Sequence, residues 1–534
     1  MNRTLTKNVN KRVVFQIIAI AILSIFTVIV SGIIKDNGHL SYTIPGFILR
    51  AGFMFVFFAM MWIVPSFLNK IPDLDLFNLC RWEKKSIILT SIVLFVIRIP
   101  YLIAYYPGIS NYDCIDQLGD FFNGMDASGV FLYDHHPVFD TLVFGGFVSI
   151  GNPIHNLNVG FFIYVLVQMV FCCIGFALLL GYMDKLGFPR IYMLIGLIYY
   201  AFVYFIALYE MSMIKDAFSG VFFIFYYLVY IALCTEKEEN NKKLWILLIV
   251  LSLFLALTKK VAMYQVILYS VGLLICGGVR KKLGYVMASA IIPFIVISVL
   301  LQGVVFPATH VKSGGADSQL EIYGLLFHQV AKYSLDYPDE VSEEDKELID
   351  KIIVYDSIPE KFDFNTIDPI KGIFRGEELS RENLSDFMKL YFKYFIRHPY
   401  SFISSFFGIN GFYFSPKSSI GMFSLVMENN MGIKNPESLE PFRNAIKYFW
   451  DKMALNGKNL LLNMVFYVFW IPVISLLRTV YYKDNRSIAA LIPLIVNILF
   501  LSICPVALDR YAIPQFYAFP VALAIGGCAS KERC

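Results

Sequence analysis

Charge is scarce in this sequence. Asp, Glu, Lys and Arg make up 16% of its 534 residues, where a soluble domain carries about 25%. A disulfide framework is lacking as well. The nine cysteines (80, 114, 172, 173, 234, 276, 504, 528 and 534) are odd in number, scattered, and form no CxxC pair. No internal repeat or low-complexity tract stands out. No small-residue cleavage site follows the basic amino terminus MNRTLTKNVNKR, so the apolar stretch behind it reads as an uncleaved anchor. The net charge of +4 is small and lies mainly on one side, which gives no reason to expect a nucleic-acid partner.

What fills the chain is apolar: 57% hydrophobic and 16% aromatic residues. Runs of membrane-spanning length, about 20 residues, recur throughout. Twelve spans are expected, at roughly 13–34, 44–68, 86–106, 157–182, 190–208, 216–234, 244–258, 264–279, 283–305, 458–478, 487–504 and 514–530. The expected fold class is therefore an all-α polytopic membrane protein. Its segments are an amino-terminal stretch with two additional spans (1–85), a membrane core (86–305) with a first long loop at 107–156, a small and mainly helical domain (306–457), and carboxy-terminal spans (458–534).

Lysine and arginine orient these spans. The amino terminus, NKIPDLDLFNLCRWEKK, DKLGFPR, TEKEENNKK, RKK, RTVYYKDNR and KERC hold 21 basic residues, against 5 in the alternate short loops. Those five are Lys35, Lys215, Lys259, Lys260 and Arg510. Both termini are accordingly expected in the cytoplasm and the first long loop outside. Within that loop, Val138–Gly151 is too short to span and suits a helix lying at the interface. In the second long connection, SQLEIYGLLFHQVAKYSL reads as a helix opened by a Ser318–Glu321 capping box. SEEDKELIDKIIVY repeats that start signal, and HPYSFISSFFGINGFYFSP suits an interfacial segment.

Polar residues persist on the outward side. In YPGISNYDCIDQLGD, Asp113, Asp116, Gln117 and Asp120 stand at i, i+3, i+4 and i+7 and would share one helix face. Carboxylates so close need a cation or donors to answer them, although a solvated helix is the plain alternative. Asp134, His135, His136 and Pro137 form a second cluster, for which a turn or cap is the plain alternative. Glu210, Lys215 and Asp216 form a third; Lys259 and Lys260 a fourth; Asp509, Arg510 and Tyr511 a fifth. Arg98 lies within the third span, where it either snorkels or finds a partner. An anionic headgroup held by Lys and Arg beside a proton-accepting aspartate is a plausible assembly of these parts.

This arrangement resembles the GT-C superfamily of polytopic glycosyltransferases. An early loop aspartate (Asp113), the stretch YDHHPVFDTL, an interfacial segment before GNPIHNLNVG, and the late RYAIP carry the resemblance. The loop is similar to that of protein O-mannosyltransferases, with Asp113-Cys114 where they have Asp-Glu and Pro137-Val138 where they have two prolines. Similar still closer is a bacterial group of uncharacterised multi-span proteins, through Tyr106–Gln117, Lys215–Asp216, Leu325–Ala331 and Arg510–Tyr511.

The resemblance implies transfer of a sugar from a polyprenyl-phosphate donor to a cell-envelope glycan, lipid or protein acceptor, with inversion, at the outer face of the plasma membrane. Asp113 would be the base and Asp116 would position the acceptor or, with Asp113, hold a divalent ion such as Mg or Mn. Asp134, His135 and His136 would contact sugar or order the loop. Lys215, Lys259, Lys260 and Arg510, with Arg98 behind them and Glu210, Asp216 and Tyr511 beside them, would bind the substrate phosphate. The rival expectations are a transporter or flippase of a lipid-linked sugar, a polymerase or ligase of lipid-linked glycans, and a non-catalytic relative that binds glycan or lipid.

Overall fold

The computed structural model describes residues 2–125, 129–235, 241–275, 282–313, 315–376, 380–416, 420–421, 425–454 and 459–529. Helices account for 77% of the structure. Among the described residues, seven helices are long and apolar enough to cross a membrane, or eight if one bent pair counts as a single span. The chain is thus a helical membrane protein.

A helix stands at each of the twelve expected stretches: α1 (Asn2–Lys35), α2 (Ile44–Leu68), α3 (Lys84–Ala104), then, after the loop helices α4 (Tyr112–Asn123) and α5 (Val138–Ser149), α6 (Leu157–Lys185), the bent pair α7 (Arg190–Phe202) and α8 (Tyr204–Glu210), α9 (Lys215–Thr235), α10 (Lys242–Thr258), α11 (Ala262–Ile275) and α12 (Leu283–Phe294). The last of these runs on through a π-helical stretch, Ile295–Val305, into the single turn α13 (Phe306–Ala308). The others follow the second long connection and are given below. Helices α10 and α11, in the middle of the chain, have 17 and 14 residues and are not among the seven. TEKEENNKK, RKK and KERC, which carry much of the expected charge bias, lie wholly or mostly outside the described residues.

The main core is built on α6 and α9, whose small and aromatic residues let helices approach closely. Gly160 shows why: a Cβ there would sit 2.3 Å from the carbonyl oxygen of Val148, so α6 lies almost against the backbone of α5. Phe144, Tyr164, Phe176 and Tyr200 interleave within this core. The pair α1 and α2 also forms a smaller cluster, through Ile20, Leu23, Phe58 and Trp62 with Val465, Trp470 and Ile474, while Val30 of α1 is buried in the main core.

The second long connection contains α14 (Gly315–Asp336), α15 (Glu343–Asp350), the short turns α16 (Ile358–Lys361) and α17 (Asp368–Lys371), α18 (Arg381–Arg397), α19 (Pro399–Asn410) and α20 (Glu440–Ala454). It has its own core, in which Phe327, Val330, Ile352, Phe387, Tyr394 and Phe402 are buried. Ser342 caps α15 by accepting from the Asp345 amide at 3.1 Å, as the start signal implied. The helix expected to open at Ser318 begins instead at Gly315, and the Ser318 side chain lies outside the described residues. Glu321, the other half of that expected box, pairs with Lys371 at 2.6 Å. Helix α19 packs on α14 and α1. The chain then closes with α21 (Ile471–Tyr482), preceded by the π-helical Phe466–Trp470, α22 (Asn485–Ser502) and α23 (Ile513–Gly527).

The mostly helical fold agrees with the all-α expectation and carries one short addition. Strands β1 (Leu132–Asp134) and β2 (Val311–Ser313) form a two-stranded parallel sheet, with Leu132 opposite Val311. It stitches the first long loop to the start of the second, a pairing between segments far apart in sequence that no local period announces.

Candidate functional site

The first loop is tied to the α8–α9 corner by backbone hydrogen bonds. The Ile109 amide donates to the Met211 carbonyl at 3.1 Å, and the Met213 amide donates back to Ile109 at 2.9 Å. From the second long connection, the Asn435 amide group donates to the carbonyls of Tyr105, Tyr106 and Gly108 at 3.0–3.1 Å. Immediately after this clasp α4 begins, capped by Asn111, whose side chain accepts from the Cys114 amide at 3.0 Å. Asp113 falls in the first turn of α4 and Asp216 in the first turn of α9, where a carboxylate is favoured by the helix dipole.

A chain of alternating charges results. His136 Nδ1 accepts from Lys215 Nζ at 3.1 Å. Lys215 also bridges Asp113 Oδ2 at 3.0 Å, and Arg510 Nη2 reaches the same oxygen at 3.2 Å. Arg510 Nε faces Asp216 Oδ2 at 3.6 Å, and Asp216 Oδ1 takes Lys259 at 2.7 Å. The Tyr511 ring lies 5.1 Å from Lys259 and 5.4 Å from Arg510, within cation–π range. Five elements thus meet: the loop before α5, α4, the start of α9, the α10–α11 turn and the link between α22 and α23. Beside them Lys260 pairs with Asp134 Oδ2 at 3.1 Å and also donates to the Asp134 carbonyl.

Burial pushes the Asp113 carboxyl up, but Lys215 and Arg510 together outweigh it and hold it well below the usual carboxylate range. Burial and Lys215 press His136 down to about 3, so its ring is neutral and Nδ1 is free to accept. At Asp134 burial outweighs Lys260 and leaves the carboxyl above its usual value.

Asp140, which the sequence reading passed over, lies fully buried in the first turn of α5. Neither of its oxygens has a hydrogen-bond partner among the described residues, and burial raises it well above the usual range. Its signal was a lone carboxylate inside the apolar run VFDTLVFGGF. Lys215, Lys259 and Arg510 are ion-paired with Asp113 and Asp216, while Asp140 also acts on Lys215 and Asp509 on Arg510.

Asp216, Lys259 and Tyr511 head a slot between α9, α11 and α22, walled by residues such as Phe223, Leu255, Phe500 and Leu501. It is narrow, ≈ 30 Å³, and carries Gln265 and Asn497 on its lining. On α4, Asp116 and Asp120 line an open cleft of ≈ 570 Å³ together with Asn123, Glu428 and Asn429.

This geometry divides the expected site. Asp113, His136, Lys215, Asp216, Lys259, Arg510 and Tyr511 come together. Lys260 and Asp134 stand beside them as a pair, and His135 is exposed with its ring against that of His136 at 4.5 Å. Helix α4 is real, but its polar residues do not share one environment: Gln117 is buried and donates to Thr141 Oγ1 at 3.1 Å, while Asp116 is exposed. A divalent ion between Asp113 and Asp116 does not fit these residues. Asp113 is committed to two cations, and among the described residues no group of three or more His, Cys, Asp or Glu stands ready for a metal.

Arg98 and Glu210 are the clearest correction. Both are fully buried and paired with each other at 3.0 and 3.1 Å. Arg98 also donates to the carbonyls of Tyr200 and Ala201, which the bend after α7 leaves without helical partners. They brace a broken helix and are not substrate contacts.

A helical membrane protein with a chain of alternating charges at one end of its bundle is the class that fold and site define. Residues 125–533 match the model of DUF6020, a family of unknown function, and the chain belongs to that family. The matched segment holds His136, Lys215, Asp216, Lys259 and Arg510, whereas Asp113 precedes it. No curated protein and no solved structure matches the chain.

Proposed function

We propose that the protein is a glycosyltransferase of the GT-C type, moving a sugar from a polyprenyl-phosphate donor to a cell-envelope acceptor. One observation carries the reading: Lys215, Lys259 and Arg510 gather with Asp113 and Asp216 at the head of an apolar slot. A polyprenyl-phosphate sugar is a phosphodiester anion on an apolar chain, and a cluster of cations above an apolar slot suits both of its parts. Arginine also matches phosphate in geometry, and lysine binds it as a point charge.

In the proposed reaction the acceptor hydroxyl oxygen attacks the anomeric carbon from the face opposite the phosphate. The new carbon–oxygen bond forms as the anomeric bond to the phosphate oxygen breaks, and that electron pair leaves with polyprenyl phosphate. The acceptor proton passes to Asp113, and the configuration inverts. Lys215, Arg510 and Lys259 stabilise the charge that grows on the phosphate, a contribution typically of about 3–4 kcal/mol for each contact. The first part of the prenyl chain lies in the slot, whose walls must part to take it. The twelve-span reading, with the excess of lysine and arginine in the termini and the loops on their side, supports both termini in the cytoplasm and this site outside.

The test is release of free polyprenyl phosphate from a panel of labelled polyprenyl-phosphate sugars, with reconstituted protein and a cell-envelope extract as acceptor. Wild type is expected to release it, and Asp113→Asn to lose at least about a hundredfold in rate while remaining folded. Equal rates in the two would remove Asp113 from the chemistry.

The 62° bend between Arg190–Phe202 and Tyr204–Glu210 favours one second reading, a transporter of lipid-linked sugar, since broken helices line transport sites. The same assay separates the two, because a transporter moves the labelled lipid across the bilayer intact.

A further inference from the structure

The two carboxylates of the charge chain differ in access. The Asp216 side chain is 1% exposed and that of Asp113 is 23% exposed. Uncovering Asp216 would strand a buried charge, which is costly; Asp113 can turn toward solvent. Lys215 and Arg510 both meet Asp113 at a single oxygen, Oδ2, so one rotation of that side chain frees both cations together. Those cations are themselves reachable, at 20% and 15% exposure. Asp216, by contrast, keeps Lys259 and Arg510 in place from below.

We propose that Asp113 is a placeholder for the phosphate of the donor: an arriving phosphate anion takes Lys215 and Arg510 from it and thereby turns it into the base. In the resting site the carboxylate is paired with two partly buried cations. Held by both, it is a weak base. Once the phosphate has drawn them away, its affinity for a proton rises at the moment a sugar is in place. Base strength is thus coupled to donor occupancy by ion-pair exchange. Asp216 is the positioning residue that keeps the cations from following either anion.

The inference rests on the phosphate-donor reading, yet its test reads binding alone. Farnesyl phosphate and inorganic phosphate are titrated calorimetrically into the full chain in lipid nanodiscs, for wild type, Asp113→Asn, Asp116→Asn and Arg510→Gln. Removing a competitor is expected to tighten farnesyl phosphate binding in Asp113→Asn about tenfold or more, although that variant is inactive. Arg510→Gln is expected to weaken it by a similar factor. Asp116→Asn changes net charge equally from the same helix but lies on the open cleft, and is expected to bind as wild type does.

The same ratios with inorganic phosphate, at weaker affinity, assign the exchange to the headgroup. An effect seen with farnesyl phosphate alone adds the prenyl chain to what triggers it. Binding by Asp113→Asn equal to or weaker than that of wild type overturns the placeholder, as does equal tightening in Asp116→Asn. If no variant binds either probe, the phosphate-donor reading fails as well, which separates the two failures.

Discussion

His136 sits beside the Lys215 ammonium and accepts from it at 3.1 Å, with Asp113, His135 and Lys260 acting on it from around. A charged imidazole there would be both buried and repelled, so its folded pKa falls from 6.5 to about 3. A histidine depressed in this way takes up its proton first in the unfolded chain. The stability it lends is complete above about 6.5 and drains away as the pH falls from there toward about 3. His136→Asn, which keeps an acceptor but cannot titrate, is expected to flatten that decline. Melting temperatures from pH 7 to pH 4 measure it, and parallel curves for the two proteins would sink the assignment. That the residue belongs to a cluster could be read from DHHP and its aspartates; that Lys215 would be its partner could not.

At the scale of elements, the bend between α7 and α8 explains what single residues do not. The sequence there, YYAFVYF, contains neither proline nor glycine, so the expected single span at 190–208 gave no hint of breaking. Arg98 serves the carbonyls of Tyr200 and Ala201 at the bend, and at the far end of α8 Gln168 donates to those of Tyr209, Glu210 and Ser212 at 2.9–3.3 Å. Glu210 compensates Arg98. Glu210→Gln is therefore expected to leave an uncompensated buried charge and cost about 3–5 kcal/mol of stability. The double change Arg98→Met with Glu210→Leu is expected to regain part of this, since the carbonyls Arg98 served stay unmet. Thermal unfolding in detergent measures both, and a stable Glu210→Gln protein would show that the pair does not brace the bend.

For the whole molecule, the site depends on closures between distant segments. The first loop meets α9 through Ile109 and Met213, the second connection through Asn435, and the last link through Arg510. All of these meet at the end of the bundle that carries both long connections, and the charge bias predicts that this end faces outward. Single cysteines at Ser342, in the helical domain, and at Lys483, between α21 and α22, test it. A membrane-impermeant maleimide is expected to label Ser342→Cys in intact cells and Lys483→Cys only after lysis. The reverse pattern would turn the proposed site inward and remove envelope acceptors from consideration.

The sequence by itself determined where the helices are, because membrane-length apolar runs and start signals such as Ser342 are local properties of a chain. It also determined which cations stand apart from the basic loops, since that is a matter of counting by segment. Only the tertiary structure decided which charges answer which. Asp113, Asp116 and Gln117 share a helix and a spacing, yet one faces Lys215 and Arg510, one a solvent cleft and one the core. The physical reason is that an ion pair is set by distance in space, and the partners of Asp113 lie on elements far away in the chain. Periodicity constrains a residue's face, whereas burial and pairing are settled only when other elements close over it.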